Sequence, residues 1–128
     1  MVKRKVFVAI AVMVAALIAL LAAHVIGSSR TICLRSDRAR SELYAISDAL
    51  EQYRESHGRY PTTSEGLFPL VDAELLRKIP EDPWFHAYEY RCPGTRSKAG
   101  FDLWTYGADG RPGGNDIDKD IGNWDDDD

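Results

Sequence analysis

From Val6 to Ala23 the chain carries no polar side chain, and His24, Val25 and Ile26 extend the apolar stretch to Gly27. About 20 such residues in a helix span roughly 30 Å, the thickness of a bilayer's hydrocarbon core. Lys3, Arg4 and Lys5 precede the stretch and favour a cytoplasmic N-terminus, which sends everything after Gly27 across the inner membrane. Arg30 and Arg35 offset that bias slightly. A retained anchor and a cleaved secretory signal both begin this way; the length of the run favours the anchor, and both deliver the same domain outside the cytoplasm. The expected organisation is a basic start and transmembrane helix over 1–27, an exported domain over 28–124 and an acidic tail over 125–128.

Beyond the apolar run the hydrophobic spacing changes. Ala39, Leu43, Ile46, Leu50 and Tyr53 recur at intervals of three and four, with Ala49 widening the stripe. That spacing predicts an amphipathic helix over 36–57 with one buried face, stopped by Gly58. Between Ser28 and Arg35 there is no proline, so the two helices are expected to be nearly continuous. Thr62 and Glu65 have capping-box spacing, and Asp72 is placed to cap a second short helix over 73–78 that Pro80 ends. Ala87–Tyr90 and Phe101–Tyr106 read as short strands around a polar turn with Pro93 and Gly94. A long helix against a small antiparallel sheet gives both apolar surfaces a place to bury, so the fold class is α+β.

A chain of 128 residues has room for one small domain. The arginines are scattered, with no basic patch beside ordered aromatics, which argues against a nucleic-acid partner. Cys33 and Cys92 are the only cysteines. Export permits a disulfide between them, two thiols are the alternative, and no Cys/His spacing points to zinc. No Ser/His/Asp or Cys/His pattern supplies a nucleophile with its base, and His24, His57 and His86 stand apart in sequence, which argues against an enzyme.

Gly107 to Trp124 is rich in glycine and aspartate and poor in apolar residues. Crowded carboxylates repel unless a cation or full solvation compensates them, so the segment is either a metal-stapled loop or a solvated turn. Asp116, Asp118 and Asp120 have the first three spacings of an EF-hand, but Ile121 stands where the invariant glycine belongs and Asp127 where the closing glutamate belongs, which excludes that motif.

From Leu50 onward the sequence resembles the major pseudopilins of type II secretion systems. The resemblance lies in Ala49-Leu50 with Tyr53, Gly58-Arg59-Tyr60-Pro61-Thr62-Thr63, Glu65-Gly66-Leu67 and Ile79-Pro80-Glu81-Asp82-Pro83-Trp84. It continues in Phe101-Asp102-Leu103, Gly107-Ala108-Asp109-Gly110, Pro112-Gly113-Gly114 and Asp120-Ile121-Gly122-Asn123-Trp124. It implies a type IV pilin-like fold, an apolar helix that anchors the subunit in the inner membrane and later packs inside a periplasmic filament, and a calcium ion in the C-terminal loop. By position, Asp109, Asp118 and Asp120 are similar to the family's side-chain ligands, with backbone carbonyls near Tyr106 and Arg111 completing the shell.

The partners it implies are further copies of the chain, other pseudopilins and the inner-membrane assembly platform. The helix residues Ala39, Leu43, Ile46, Leu50 and Tyr53 lie in the assembly helix. Family members carry a prepilin peptidase signal, Gly followed by Phe-Thr-Leu and an early Glu. Lys3 to Ile10 departs from it, with no Gly before Phe7 and no acidic residue in the apolar run. The resemblance favours a structural subunit of a secretion pseudopilus; the departure favours a membrane-anchored, calcium-stabilised module that does not polymerise.

Overall fold

The computed structural model describes residues 2–124; the acidic tail 125–128 lies outside the described residues. Helix α1 runs over Val2–His57. The chain divides into two compact units, Met1–Leu34 and Arg35–Asp128.

In the first unit, Val6–Gly27 is long and apolar enough to cross a membrane, with a mean hydropathy of 3.0, and none of it is buried. Phe7, Met13 and Leu20 are 79%, 73% and 69% exposed. Apolar surface of this extent is stable only when lipid or another protein covers it.

In the second unit the predicted stripe forms the core. Ala39, Leu43, Ile46, Ala49, Leu50 and Tyr53 are all buried, and they join Leu67, Leu70, Tyr88, Tyr90, Phe101, Leu103 and Ile121 in one cluster. On the exposed face, Arg38 pairs with Glu42 at 2.8 Å and Gln52 bonds Asp48 at 2.8 Å, the one-turn spacing that ties neighbouring helical side chains. Gly58 ends the helix at a φ of 75° that a side chain would resist, its N–H donating to the Arg54 carbonyl at 2.8 Å.

The capping box forms reciprocally: Thr62 N donates to the Glu65 carboxylate at 2.6 Å, and Glu65 N to the Thr62 hydroxyl at 3.3 Å. Arg59 grips the same carboxylate with both guanidinium nitrogens at 2.7 and 2.9 Å. That grip, with the Thr62 donors, pulls the Glu65 carboxyl down to about 2.

The second helix differs from the sequence expectation. Helix α2 occupies Phe68–Asp72, before Asp72 instead of after it, with a proline in its first turn where the missing N–H costs nothing. Glu74 then takes a positive φ of 59°, and the N–H groups of Leu75 and Leu76 both return to the Leu70 carbonyl, at 2.9 and 3.1 Å. The left-handed residue closes the helix, so Asp72 has no following turn to cap.

Strands β1 (Glu89–Arg91), β2 (Asp102–Thr105) and β3 (Ile121–Gly122) form an antiparallel sheet in that order, pairing Tyr90 with Leu103 and Thr105 with Ile121. Both expected strands are present, β2 within slightly narrower limits and β1 shifted toward the C-terminus, starting at Glu89 and reaching Arg91. β3 was not expected, because two residues leave no alternation to read. Side chains of Asn123 and Tyr90 extend the pairing: Leu103 N donates to Asn123 Oδ1 at 3.0 Å, and the Tyr90 hydroxyl donates to the Pro61 carbonyl at 2.8 Å.

Since Ile46 and Leu50 are fully buried, replacing either by Ala is expected to lower unfolding free energy by about 2–5 kcal/mol. Arg38→Ala, which removes an exposed guanidinium and leaves Glu42 its bond from the Tyr88 hydroxyl, is expected to cost less than about 1 kcal/mol. Urea unfolding of the detergent-solubilised chain measures both.

Candidate functional site

Two buried carboxylates organise the loops around the sheet. Asp82 is 2% exposed. Its Oδ1 accepts the N–H groups of Trp84 and His86 at 2.9 and 2.8 Å, its Oδ2 accepts the Thr105 hydroxyl, and its own N–H donates to the His86 carbonyl at 2.8 Å. This fixes the turn 82–86 onto β2. Asp102 is 0% exposed. Its oxygens accept the N–H groups of Thr95, Arg96 and Ser97, each at 2.9 Å, together with the Arg91 guanidinium. Burial alone would raise the Asp102 carboxyl; the bonds from Ser97 N, Arg91, Thr95 N and Arg96 N outweigh it and hold the group well below the usual carboxylate range. In sequence Asp102 is simply the polar partner in an alternating strand. Its function as the hub of the 94–98 turn depends on that turn folding back over it.

The acidic loop folds on itself. Gly107, at a φ of 73°, presses against the opposite limb so closely that a Cβ there would lie 2.7 Å from the Ile117 carbonyl oxygen. Ala108 N donates to that same oxygen at 2.8 Å. Gly114 meets the Asp118 backbone, where a Cβ would come within 2.4 Å of its carbonyl oxygen. The limb carrying Tyr106, Asp109 and Arg111 is thereby laid alongside the limb carrying Asp118 and Asp120. Asp118 closes a short 3-10 helix over Asp116–Asp118.

The side chains are engaged locally. Asp109 Oδ1 accepts Arg111 N at 3.0 Å, and both Asp120 oxygens accept Gly113 N, at 3.0 and 3.1 Å. Among the described residues no three His, Cys, Asp or Glu side chains gather as a metal cluster. In kind the donors suit calcium, which takes carboxylate and carbonyl oxygens in a flexible geometry. In arrangement the loop brings the two limbs together, with the Asp109 and Asp120 carboxylates on backbone amides.

His86 is less isolated than its sequence position implies. Its Nδ1 lies 3.1 Å from the Gly107 carbonyl oxygen and 3.8 Å from Asp82 Oδ2, and its ring leaves Gly110 room for a hydrogen but little more. Trp124 is seated by Trp104, with ring centroids 5.8 Å apart, and by the Arg96 guanidinium 3.6 Å over its ring. Cys33 is exposed and Cys92 half-buried, both as thiols, one in each unit.

Residues 32–124 match the family model described as type II secretion system (T2SS), protein G. The chain belongs to the type II secretion system protein G family. It is 42% identical over 100 residues to the type II secretion system core protein G of Pseudomonas aeruginosa, a match covering 68% of this chain and 69% of the relative. To the core protein G of Vibrio cholerae it is 35% identical over 99 residues, covering 68% of this chain and 66% of that one. The crystal structure of the major pseudopilin from the type 2 secretion system of enterohaemorrhagic Escherichia coli superposes with a TM-score of 0.64 at 32% identity, covering 78% of this chain and 93% of that one. The α+β fold is that of a pseudopilin, and the protein is accordingly a structural, non-catalytic subunit of the protein G type, with an inner-membrane helix and a periplasmic domain.

Because Asp102 is held below its unfolded value near 4, its contribution to stability is complete above that value and lost as pH falls toward the folded one. Asp102→Asn is expected to destabilise this pseudopilin by on the order of 2 kcal/mol at pH 7. It is also expected to flatten the acid limb of the stability curve, which denaturation between pH 7 and pH 2 reads directly.

Proposed function

We propose that the chain assembles through its apolar helix into a type II secretion pseudopilus, packing against further copies and other pseudopilins. The N-terminus faces the cytoplasm, and the inner-membrane platform receives the subunit. The observation that carries this reading is the wholly exposed apolar segment Val6–Gly27, joined to a unit whose own core is already complete in Arg35–Asp128. The domain has no need of that segment for its packing, so its apolar surface is available first to lipid and then to neighbouring subunits. Lys3, Arg4 and Lys5 support the cytoplasmic start.

We further propose calcium as the loop's ligand, held by Asp109, Asp118 and Asp120 with the carbonyls of Tyr106 and Arg111. The close approach of the two limbs supports it. A bridge between Cys33 and Cys92 belongs to the same reading, as export into an oxidising compartment permits it.

Two differently tagged copies expressed in one cell are expected to co-isolate from membranes, and deletion of the gene is expected to stop export through the secretion system. Absence of both effects contradicts assembly. For the loop, thermal unfolding after chelation is expected to rise on calcium addition, as binding to the native state alone requires. Asp118→Ala with Asp120→Ala is expected to abolish the rise; an unchanged midpoint in the parent protein contradicts calcium binding.

A further inference from the structure

Phe85 holds a backbone conformation that bulky residues avoid, and its ring stands largely in solvent. Its φ is 70° and its side chain is 80% exposed. A non-glycine residue at such an angle is strained and persists only where its surroundings enforce it. Here they do: Phe85 N donates to the Asp82 carbonyl at 2.9 Å, between the two amides that Asp82 Oδ1 accepts from Trp84 and His86. The buried carboxylate therefore fixes the turn, and the turn thrusts an aromatic ring into solvent.

The same unit carries a receptacle of suitable size. A groove of about 340 Å³ opens beside Leu43, Tyr44, Ser47, Ala99 and Phe101. An apolar cavity of about 150 Å³ already accepts benzene, so a phenyl ring fits with its neighbours. Phe85 cannot reach this groove in its own chain. The ring lies with Arg38 on one flank of the buried stripe, whereas the groove lies along Tyr44 and Ser47 on the other. At about 100° per residue, Ser47 stands roughly half a turn around the helix from Arg38. A knob and a receptacle on opposite flanks make a head-to-tail contact between copies, and such contacts build rings where the rotation closes and open helical arrays where it does not, instead of two-fold dimers. The charge balance of the two surfaces is opposite: Arg38, Lys78 and Glu81 surround the knob, whereas Arg40, Asp48 and Glu51 line the groove.

We infer that Phe85 of one copy inserts into the Leu43–Tyr44–Phe101 groove of the next copy as a knob-in-groove contact between subunits. The inference rests on the assembly reading and specifies one of its contacts.

Full-length chain is expressed in its membrane with p-benzoylphenylalanine at position 85, or in a separate strain at Leu17 in the apolar helix, alongside an untagged second copy, and irradiated. The expected result is an adduct from position 85 to peptides containing 43–47 or 99–101 of the second copy. An adduct from Leu17 with none from position 85, or with one mapping elsewhere, overturns the knob-in-groove contact and leaves assembly standing. No inter-copy adduct from either position overturns assembly and this contact with it. In parallel, Phe85→Gly frees the strained angle, so the thermal midpoint is expected to hold or rise, while inter-copy adducts from a probe at Tyr44 are expected to fall about tenfold. A lowered midpoint with undiminished adducts shows the ring to serve the fold and overturns the inference.

Discussion

Everything in the periplasmic unit depends on burying one helical stripe. The three strands comprise three, four and two residues, too little sheet to stand alone in water. Ala39, Leu43, Ile46, Ala49, Leu50 and Tyr53 supply the apolar face that the sheet lacks, and Tyr88, Phe101, Leu103 and Ile121 complete it from the other side. The hydrophobic contribution concentrates along this seam, leaving the loops to be ordered by other means.

Those means are polar. Asp82 and Asp102 are both buried, and each gathers backbone N–H groups that a turn would otherwise leave unpaired. Among the described residues no buried side-chain nitrogen or oxygen lacks a partner. Removing either carboxylate would orphan several donors at once, which is why a pair of aspartates can govern two turns. Asp82 also connects the fold to its surface chemistry, since the turn it fixes presents Phe85 and places His86 against the C-terminal loop.

The helix was legible because periodicity is a local property, readable from Ala39 to Tyr53 without knowing what covers it. The capping box was legible for the same reason, as its two partners are three residues apart. Asp102 was not, because its donors sit on a turn whose return over β2 is a tertiary event, and β3 was too short to show a period. Asp72 misled because a good cap residue is a good helix end wherever the chain reverses, and the left-handed Glu74 decides which side the helix lies on. In the acidic loop the sequence left a stapled loop and a solvated turn open; the engagement of Asp109 and Asp120 by nearby amides depends on glycines at Gly107 and Gly114 letting backbones touch.

One unit has a complete core of its own, and the apolar segment of the other is wholly exposed. On the proposed assembly, lipid and subunit would cover the same apolar surface in turn. Helical reconstruction of fibres sheared from cells carrying the intact secretion system tests this most directly. The account predicts this chain repeated along the fibre, with Val6–Gly27 packed against the same segment of neighbouring copies at the axis and the Arg35–Asp128 units outside. Fibres that lack the chain, or that contain it with the apolar segment still facing lipid or detergent, would contradict it.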